Sequence, residues 1–269
     1  MKKTLLTCGM IVMLIGCSGG GGGKSTAGPG TSGKGGDVSE AKSEPKAKPK
    51  PWDPALGTAT VRGVVKFSGK PPRQRPIDMA AKPECMKIHS EPVLDESIIV
   101  NPDGTLKNAF VWVKRGLQGW EFPVPTEPAV LDQKGCMFHP HVMGVQVRQK
   151  INIRNDDTFG HNVHSLPAVN TSFNFTQGTQ GQEDPVEFTR REVLVKFKCD
   201  IHGWMSSYLG VVDHPFFAVT SEDGKFELKN LPPGDFTIEA KHEELPAKSV
   251  TVTLADQESK DIEFSLEVK

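Results

Sequence analysis

The amino-acid sequence predicts an all-β protein of the sandwich type, on three observations. Apolar residues alternate one position in two, as at Val145, Val147, Ile151 and Ile153, and this alternation is typical of strands with one buried face. Gly, Pro, Asn and Asp interrupt the apolar stretches at close spacing, where hairpin turns are expected. The period of an amphipathic helix is hard to find, so β-sheets must supply the core.

The chain begins with a segment that predicts export. Two lysines precede an apolar run at residues 4–15, which is too short to span a bilayer and is typical of a secretion signal. The run ends in Leu-Ile-Gly-Cys, which resembles the bacterial lipoprotein box. That resemblance implies that residues 1–16 are removed and that Cys17 carries lipid. An ordinary signal with an internal cysteine is the alternative.

Residues 17–57 are predicted to be the lipid anchor and a flexible linker. Glycine, proline and lysine dominate this segment, which therefore cannot bury enough apolar surface to offset its ordering entropy. Its lysines would suit an anionic lipid surface, but the acidic residues between them favour a solvated spacer. Ser18 after the lipidated cysteine favours the outer membrane, by resemblance to Gram-negative sorting, so we expect an exported lipoprotein facing the periplasm.

A candidate metal-binding loop lies in "FKCDIHGWMSS", residues 197–207. Cys199 shares the parity of the apolar strand residues before it, so its side chain should enter the core at the end of the strand. The next residues turn, which brings His202 and Met205 back to the same point. A thiolate, an imidazole and a thioether form a soft donor set that suits copper better than zinc. One more imidazole is needed.

The segment "NDDTFGHNVHS", residues 155–165, offers that imidazole. Its His-Asn-Val run at 161–163 resembles the first histidine segment of the small blue copper proteins, the plastocyanin and amicyanin cupredoxin family. The Cys-x2-His-x2-Met run at 199–205 is similar to the second ligand loop of the amicyanin kind. The order and separation of the two motifs also suit that family, although Gly160 stands where its members often have proline.

The resemblance implies a type 1 site for one copper ion, cycling between Cu(I) and Cu(II), with four ligands: His161, Cys199, His202 and Met205. It also implies that the Asn162 side chain hydrogen-bonds across to the cysteine strand. His164 competes for the ligand role, but it lies three residues from His161 and so on the opposite strand face, and the resemblance favours His161. The alternative for the whole set is that Cys199 is a buried core cysteine or a disulfide partner, while His202 and Met205 only fill space in the loop.

The cysteine count predicts a disulfide between Cys85 and Cys136. Cys8 leaves with the signal, Cys17 takes the lipid and Cys199 takes the copper, so two cysteines remain to pair in an oxidising compartment. A second metal site is the alternative, because three histidines lie near these cysteines in the sequence: His89, His139 and His141. No ligand spacing there repeats a known pattern, which favours the disulfide.

The C-terminal part predicts a second module. Residues 217–240 contain a strand between a Glu-Asp-Gly turn and a Pro-Pro-Gly turn, followed by another strand. This pattern resembles the carboxypeptidase regulatory-like domain, a small non-catalytic β-sandwich, and residues 59–71 resemble the first strand and turn of that family. A generic pair of hairpins that extends the core is the alternative.

These resemblances predict the domain organisation of the mature chain. We expect an N-terminal β segment at 58–104, either part of the regulatory-like sandwich or beside it. A cupredoxin Greek-key β-sandwich should follow at 105–213, and the regulatory-like β-sandwich at 214–269. The copper domain is then either inserted into the other sandwich or packed against it.

The predicted function is one-electron transfer by a lipid-anchored copper protein that is not an enzyme, because the ligand set leaves no open position for a substrate. In the family, the loop histidine is the electron port, which implies His202 here, with Trp204 on the docking surface. The implied partner is a redox protein such as a c-type cytochrome or a copper or haem oxidoreductase. The near-neutral charge gives no indication of nucleic-acid binding. The alternatives are a copper-delivery protein and a non-catalytic surface scaffold.

Overall fold

The computed structural model describes residues 48–268. The predicted signal, the lipid anchor at Cys17 and the linker as far as residue 47 lie outside the described residues. Nearly every regular element in residues 48–268 is a strand, which confirms the all-β fold class. No helix within that range is long and apolar enough to cross a membrane.

The strands follow one another along the whole described chain. The first nine are β1 (Lys50–Pro51), β2 (Ala59–Ser68), β3 (Phe110–Arg115), β4 (Trp120–Glu121), β5 (Ala129–Lys134), β6 (Met137–His139), β7 (Val142–Gln146), β8 (Ile151–Asn155) and β9 (His161–Leu166). The others are β10 (Asn174–Gln177), β11 (Glu183–Val186), β12 (Glu192–Lys198), β13 (Ser206–Val212), β14 (Phe217–Val219), β15 (Lys225–Leu231), β16 (Gly234–Lys241), β17 (Lys248–Leu254) and β18 (Ser259–Glu267). A 3-10 turn at Pro54–Leu56 and the short helix α1 at Pro83–Lys87 complete the elements.

Strands from both ends of the described chain form one sandwich, called the outer sandwich here. Its four-stranded sheet has the order β14-β3-β16-β17, and its three-stranded sheet has the order β15-β2-β18. The apolar residues of the two sheets meet in one buried cluster that includes Val61, Phe226, Phe236 and Phe264. Since side chains alternate across each strand, these residues form the inner layer and their neighbours face outwards.

Strands β5 to β13, which lie between β3 and β14 in the chain, form a second sandwich, called the inserted sandwich here. Its five-stranded sheet has the order β10-β9-β12-β13-β7, and its four-stranded sheet has the order β11-β8-β5-β6. Phe138, Ile153, Phe197 and Leu209 belong to the cluster that fills its core. Because β3 and β14 pair with each other, this second sandwich is inserted between two adjacent strands of the outer one.

The position of β3 corrects the predicted boundary at residue 105. The sequence prediction assigned residues 105–115 to the copper-binding half, but Trp112 pairs with Phe217 and Val111 pairs with Ala240, both in the outer sandwich. Alternating apolar residues show that a segment is a strand but not which sheet takes it. The inserted sandwich therefore starts after β3.

A β-bulge corrects the predicted orientation of Val193. The sequence placed Val193, Val195 and Phe197 on one face of β12, but the pairing with β13 shifts between Val193 and Val195. Leu194 has a positive φ of 63° at this point, and the extra residue of a bulge changes the alternation. Val193 consequently packs on the cluster between the two sandwiches and not in the core.

Two glycines allow the sandwiches to pack closely. Gly144 and Gly210 are partners on β7 and β13, and the rings of Phe110 and Phe217 stack on them with centroids 5.8 Å apart. A Cβ on Gly210 would lie 2.3 Å from the Phe110 ring, and one on Gly144 would lie 2.4 Å from the Phe217 ring. The absent side chains thus make the flat surface on which the two aromatic rings pack.

We expect Gly210→Ala to destabilise the protein by about 1–3 kcal/mol, the usual cost of overpacking a filled interior. The new methyl would force the buried Phe110 ring out of its place. Urea unfolding measures the change in the free energy of unfolding. Gly178→Ala is the matched control, because nothing lies within 4 Å of its added Cβ. Equal stability of the two variants would contradict this account of the interface.

The segment between β2 and β3 extends over the inserted sandwich. Residues 70–97 of it, called the cap here, contain α1 and place Met79 and Cys85 in the core cluster of that sandwich. Cys85 is bonded to Cys136, with an S–S distance of 2.00 Å and a sequence separation of 51. Closing a loop of this length lowers the conformational entropy of the unfolded chain. In the chain-entropy model the bond therefore adds about 4 kcal/mol to the free energy of unfolding.

Candidate metal centre

Two neighbouring strands and one loop bring the predicted ligands together. His161 is the first residue of β9, and Cys199 directly follows β12. These strands pair antiparallel, with Lys198 opposite His164, so the start of one lies beside the end of the other. His202 and Met205 lie in the loop that leads from Cys199 into β13.

Three donor atoms converge at this point. The Nδ1 atoms of His161 and His202 are 3.0 Å apart, and the Sγ of Cys199 is 3.6 Å from the Nδ1 of His202. Donor atoms of all three residues lie within 4.8 Å of one another. Met205 is fully buried in the same core cluster as Cys199. The four residues predicted as ligands thus share one end of the inserted sandwich.

The loop is closed by its own backbone. The Cys199 amide donates to the Met205 carbonyl at 3.2 Å, and the Met205 amide donates to the His202 carbonyl at 2.9 Å. The His202 amide donates to the Sγ of Cys199 at 3.4 Å. These bonds fold the seven residues after the strand back onto its end, which is why a spacing of two residues between donors brings all of them to one point.

The thiol of Cys199 is poised to lose its proton. Burial by itself raises the pKa of a thiol. Here the hydrogen-bonding contacts with His161 and His202, and the amides of Asn162 and His202, outweigh burial and lower the pKa of Cys199 to about 5. A thiolate is the form that binds soft metal ions, so this environment favours the metal-binding state.

Asp157 orients His161 and was not identified from the sequence. Its Oδ2 lies 2.8 Å from the Nε2 of His161, so the carboxylate holds the imidazole proton on Nε2 and leaves Nδ1 free to coordinate. Burial opposes charge on both groups, but their mutual hydrogen bond lowers the pKa of Asp157 and raises the pKa of His161. The signal in the sequence was an aspartate four residues before the histidine.

Asn162 joins the two ligand segments. The backbone N–H of Asn162 donates to the Sγ of Cys199 at 3.3 Å, and the side-chain Oδ1 of Asn162 accepts from the backbone N–H of Asp200 at 3.1 Å. The side chain thus crosses to the cysteine strand, where the resemblance had placed it. His164 faces away from the donor cluster, and its Nδ1 lies 2.9 Å from the Oδ2 of Asp200 near the surface.

The burial of His202 corrects its predicted role as a surface port. Only 1% of this residue is exposed. The rings of Trp204 and Phe159 pack against it, with centroids 5.5 and 6.2 Å from the imidazole, and the Sγ of Cys85, in the cap, lies within 4.8 Å of one of its ring nitrogens. Trp204 itself is half-buried. A loop histidine reaches solvent only where nothing packs over the loop, and the sequence does not show what packs there.

The donor cluster fits a copper ion. Two nitrogens each about 2 Å from one ion and about 120° apart would be about 3.5 Å from each other, close to the 3.0 Å between the two Nδ1 atoms. Without an ion, one of the two Nδ1 atoms must carry a proton and donate it to the other. Among residues 48–268, the Nε2 of His202 has no hydrogen-bond partner. One thiolate, two imidazoles and a buried thioether are a donor set that copper prefers.

The histidines near the disulfide are engaged elsewhere. The Nε2 of His89 lies 2.8 Å from the Gly135 carbonyl, and the Nε2 of His139 lies 3.2 Å from the Lys134 carbonyl. The ring of His141 hydrogen-bonds Glu243. Within the part of the chain that the structure describes, none of these three histidines belongs to a group of potential ligands. The cysteines are bonded to each other, so the alternative of a second metal site is not supported.

Comparison with known proteins gives partial structural likenesses. No family model matches the chain, and no curated protein matches it. A methionine-to-alanine mutant of amicyanin in its Cu(I) form is 20% identical, with a TM-score of 0.28, and the match covers 33% of this chain and 85% of that chain. The purple cupredoxin from Nitrosopumilus maritimus is 20% identical, with a TM-score of 0.27, over 31% of this chain and 98% of that one.

An enzyme is also among the similar structures. The copper-containing nitrite reductase NirK from Thermus scotoductus SA-01 is 20% identical, with a TM-score of 0.28. The match covers 37% of this chain and 25% of that chain. The three likenesses therefore each concern about a third of the chain.

Proposed function

We propose that the inserted sandwich is a cupredoxin-type domain that holds one copper ion and carries single electrons. The supporting observation is the convergence of the Nδ1 atoms of His161 and His202 with the Sγ of Cys199. Met205, which is buried in the same core cluster as Cys199, would complete the set as a weak thioether donor. Copper, when bound, supplies a Cu(I)/Cu(II) couple at this point.

The surrounding residues keep the ligands in one arrangement. Asp157 holds the proton of His161 on Nε2, and Asn162 ties the histidine strand to the cysteine strand. Backbone amides donate to the thiolate from two sides. Ligands held this firmly move little when the charge at the site changes by one, which favours rapid electron exchange.

Burial supports a carrier and not an enzyme. His161, Cys199, His202 and Met205 are each at most 1% exposed, so a substrate has no path to an open coordination position. Electrons can cross the thin aromatic cover, and Trp204 is the half-buried residue over His202. We therefore place the docking surface at Trp204 and not at the edge of His202.

The partner and the location follow from the sequence and complete the proposal. A small redox protein, such as a c-type cytochrome or a copper or haem oxidoreductase, would dock weakly over the aromatic cover. The lipoprotein signal and Cys17 would anchor the chain to the outer membrane or another membrane facing the periplasm. In the same proposal the outer sandwich is a regulatory-like module without catalytic function.

Copper titration of the purified full chain tests the proposed function. We expect an intense visible absorption band from thiolate-to-copper charge transfer, one copper per chain, and reversible reduction. A copper-delivery protein would instead surrender the metal to a competing chelator, and a scaffold would give no band. Absence of the band in protein with an intact fold would refute the proposal.

A weak thioether donor at Met205 would give an ordered series of reduction potentials. Met205→Leu should retain copper and the strong band but raise the reduction potential, because loss of a donor disfavours Cu(II) more than Cu(I). Met205→Gln should lower the potential, because an oxygen donor favours the oxidised ion. Voltammetry of the three proteins measures the order. If the reduction potentials of the Leu, Met and Gln proteins do not decrease in that order, Met205 is not a ligand and only packs the loop.

A further inference from the structure

The disulfide lies against the metal ligands. Both sulfurs of the Cys85–Cys136 bond lie within 4.8 Å of a ring nitrogen of His202. The Sγ of Cys136 also lies within 4.8 Å of a ring nitrogen of His161 and of a carboxylate oxygen of Asp157. Both cysteines are fully buried. The bond is therefore part of the wall of the candidate metal centre.

The backbone of Cys136 holds the residue that orients His161. The amides of Gly135 and Cys136 donate to the two oxygens of Asp157, at 2.8 and 2.9 Å. Both residues have a positive φ, 65° and 55°, which turns their amides towards the same carboxylate. Asp157 in turn accepts from the Nε2 of His161. One tight turn thus fixes the carboxylate and, through it, the first imidazole.

The carbonyl of Cys136 holds the residue that covers His202. The indole Nε1 of Trp204 donates to this carbonyl at 2.9 Å, and the indole ring packs beside the imidazole of His202. The loop that carries His202 and Met205 is consequently fastened to the same turn as Asp157. Cys136 thereby reaches both imidazoles, each through one intermediate residue.

The cap depends on the disulfide for its attachment. Within the described residues, no backbone hydrogen bond joins the cap to the inserted sandwich. Besides apolar packing of residues such as Met79, two polar contacts do so. The Nε2 of His89 meets the Gly135 carbonyl at 2.8 Å, and an oxygen of Glu96 lies 3.7 Å from the Nδ1 of His141. The covalent bond is the one firm link at the site.

We propose that the Cys85–Cys136 disulfide belongs to the metal centre: it fixes Cys136 as a positioning residue for both imidazoles and seals the ligands from water. This inference deepens the proposed copper function and rests on it. The disulfide links the cap covalently to the turn beside His202 and so keeps the cap against this ligand. Without it, the cap can lift, water reaches the site and the Cys136 turn loosens.

Access to Cys199 tests the seal without copper. In the metal-free full chain, alkylation of this thiol by iodoacetamide is followed by mass spectrometry of its peptide. We expect Cys85→Ser/Cys136→Ser to react at least about tenfold faster than wild type, because local opening governs the access of reagents to buried groups. Gly210→Ala is the matched control, since it weakens the fold at the interface between the sandwiches and not at the site. Any acceleration in Gly210→Ala should not exceed what its loss of stability gives through global unfolding, and it should stay below that of the double variant.

The copper-loaded proteins test the positioning role. The double variant should show a shifted visible band and a lower reduction potential, because water raises the local dielectric and favours Cu(II). Trp204→Phe keeps a ring over His202 but loses the donor to Cys136. Its band should shift in the same direction by a smaller amount, and its Cys199 should also react faster than that of wild type.

The outcomes separate the two proposals. A folded double variant whose Cys199 reacts at the wild-type rate overturns the inference, and so does an equal acceleration in Gly210→Ala. If the double variant does not fold, Trp204→Phe decides by the same alkylation measurement, with unchanged reactivity overturning the inference. If wild-type protein binds no copper, the copper function fails, whereas the alkylation rates still test the seal.

Discussion

Replacing Cys199 with serine is expected to abolish the visible absorption band of the copper-loaded protein. The band requires a thiolate sulfur bonded to the ion, and a serine hydroxyl stays protonated at neutral pH. Copper should also bind at least about tenfold more weakly, because the hydroxyl replaces the strongest soft donor of the set. Absorption and electron paramagnetic resonance of copper-titrated Cys199→Ser measure both effects.

The fold of Cys199→Ser should survive. Serine is smaller than cysteine, and its oxygen can accept from the amides of Asn162 and His202 that now reach the sulfur. The cost in the free energy of unfolding should be about 1–2 kcal/mol, as for most single substitutions. Circular dichroism and urea unfolding check it. A blue spectrum that survives in the folded variant would show that another residue supplies the thiolate, which the described chain does not offer.

His161→Ala and His164→Ala should have opposite effects on the copper site. The two histidines lie on the same strand, but His161 is fully buried at the donor cluster, whereas His164 pairs with Asp200 near the surface. His161→Ala should therefore remove the visible band, since one of the two imidazoles that would hold the ion is lost. His164→Ala should leave the band intact and cost less than about 1 kcal/mol, the usual value of an exposed ion pair.

The pair of variants controls for general effects of mutating this strand. Both remove an imidazole from β9, and both leave a carboxylate without its histidine, Asp157 in one case and Asp200 in the other. Asp157 keeps its two backbone donors, so His161→Ala should still fold. Titration with copper, followed by absorption, gives the comparison. Loss of the band in His164→Ala with retention in His161→Ala would mean that strand parity was misassigned here.

Local patterns in the sequence were enough to predict many of the strands. The C-terminal strands were predictable because apolar alternation at Phe226, Phe236, Val252 and Phe264 recurs between turns that contain Gly and Pro, and these residues line the core of the outer sandwich. The alternation failed at Val193, since a bulge inserts a residue. A bulge depends on the pairing of two strands, so one strand read alone does not reveal it.

The donor residues were predictable because they lie close together in the chain. A spacing of two residues from Cys199 to His202 and again to Met205 suits a tight loop, and the resemblance pointed to His161. The residues that control those donors were not predictable in the same way. Asp157 lies only four residues before His161, but no known motif marks that spacing, and Cys136 acts through a contact 68 residues away in the chain.

The sequence by itself determined the all-β class, the strands and the set of soft donors, because alternation and short spacing are properties of a few consecutive residues. Tertiary structure alone decided which sandwich received β3, how the glycines of β7 and β13 admit two aromatic rings, and what covers His202. Each of these depends on segments that are far apart in the chain and meet only on folding. The burial of the candidate site is the clearest case, since it results from a cap that belongs to the connection between two strands of the other sandwich.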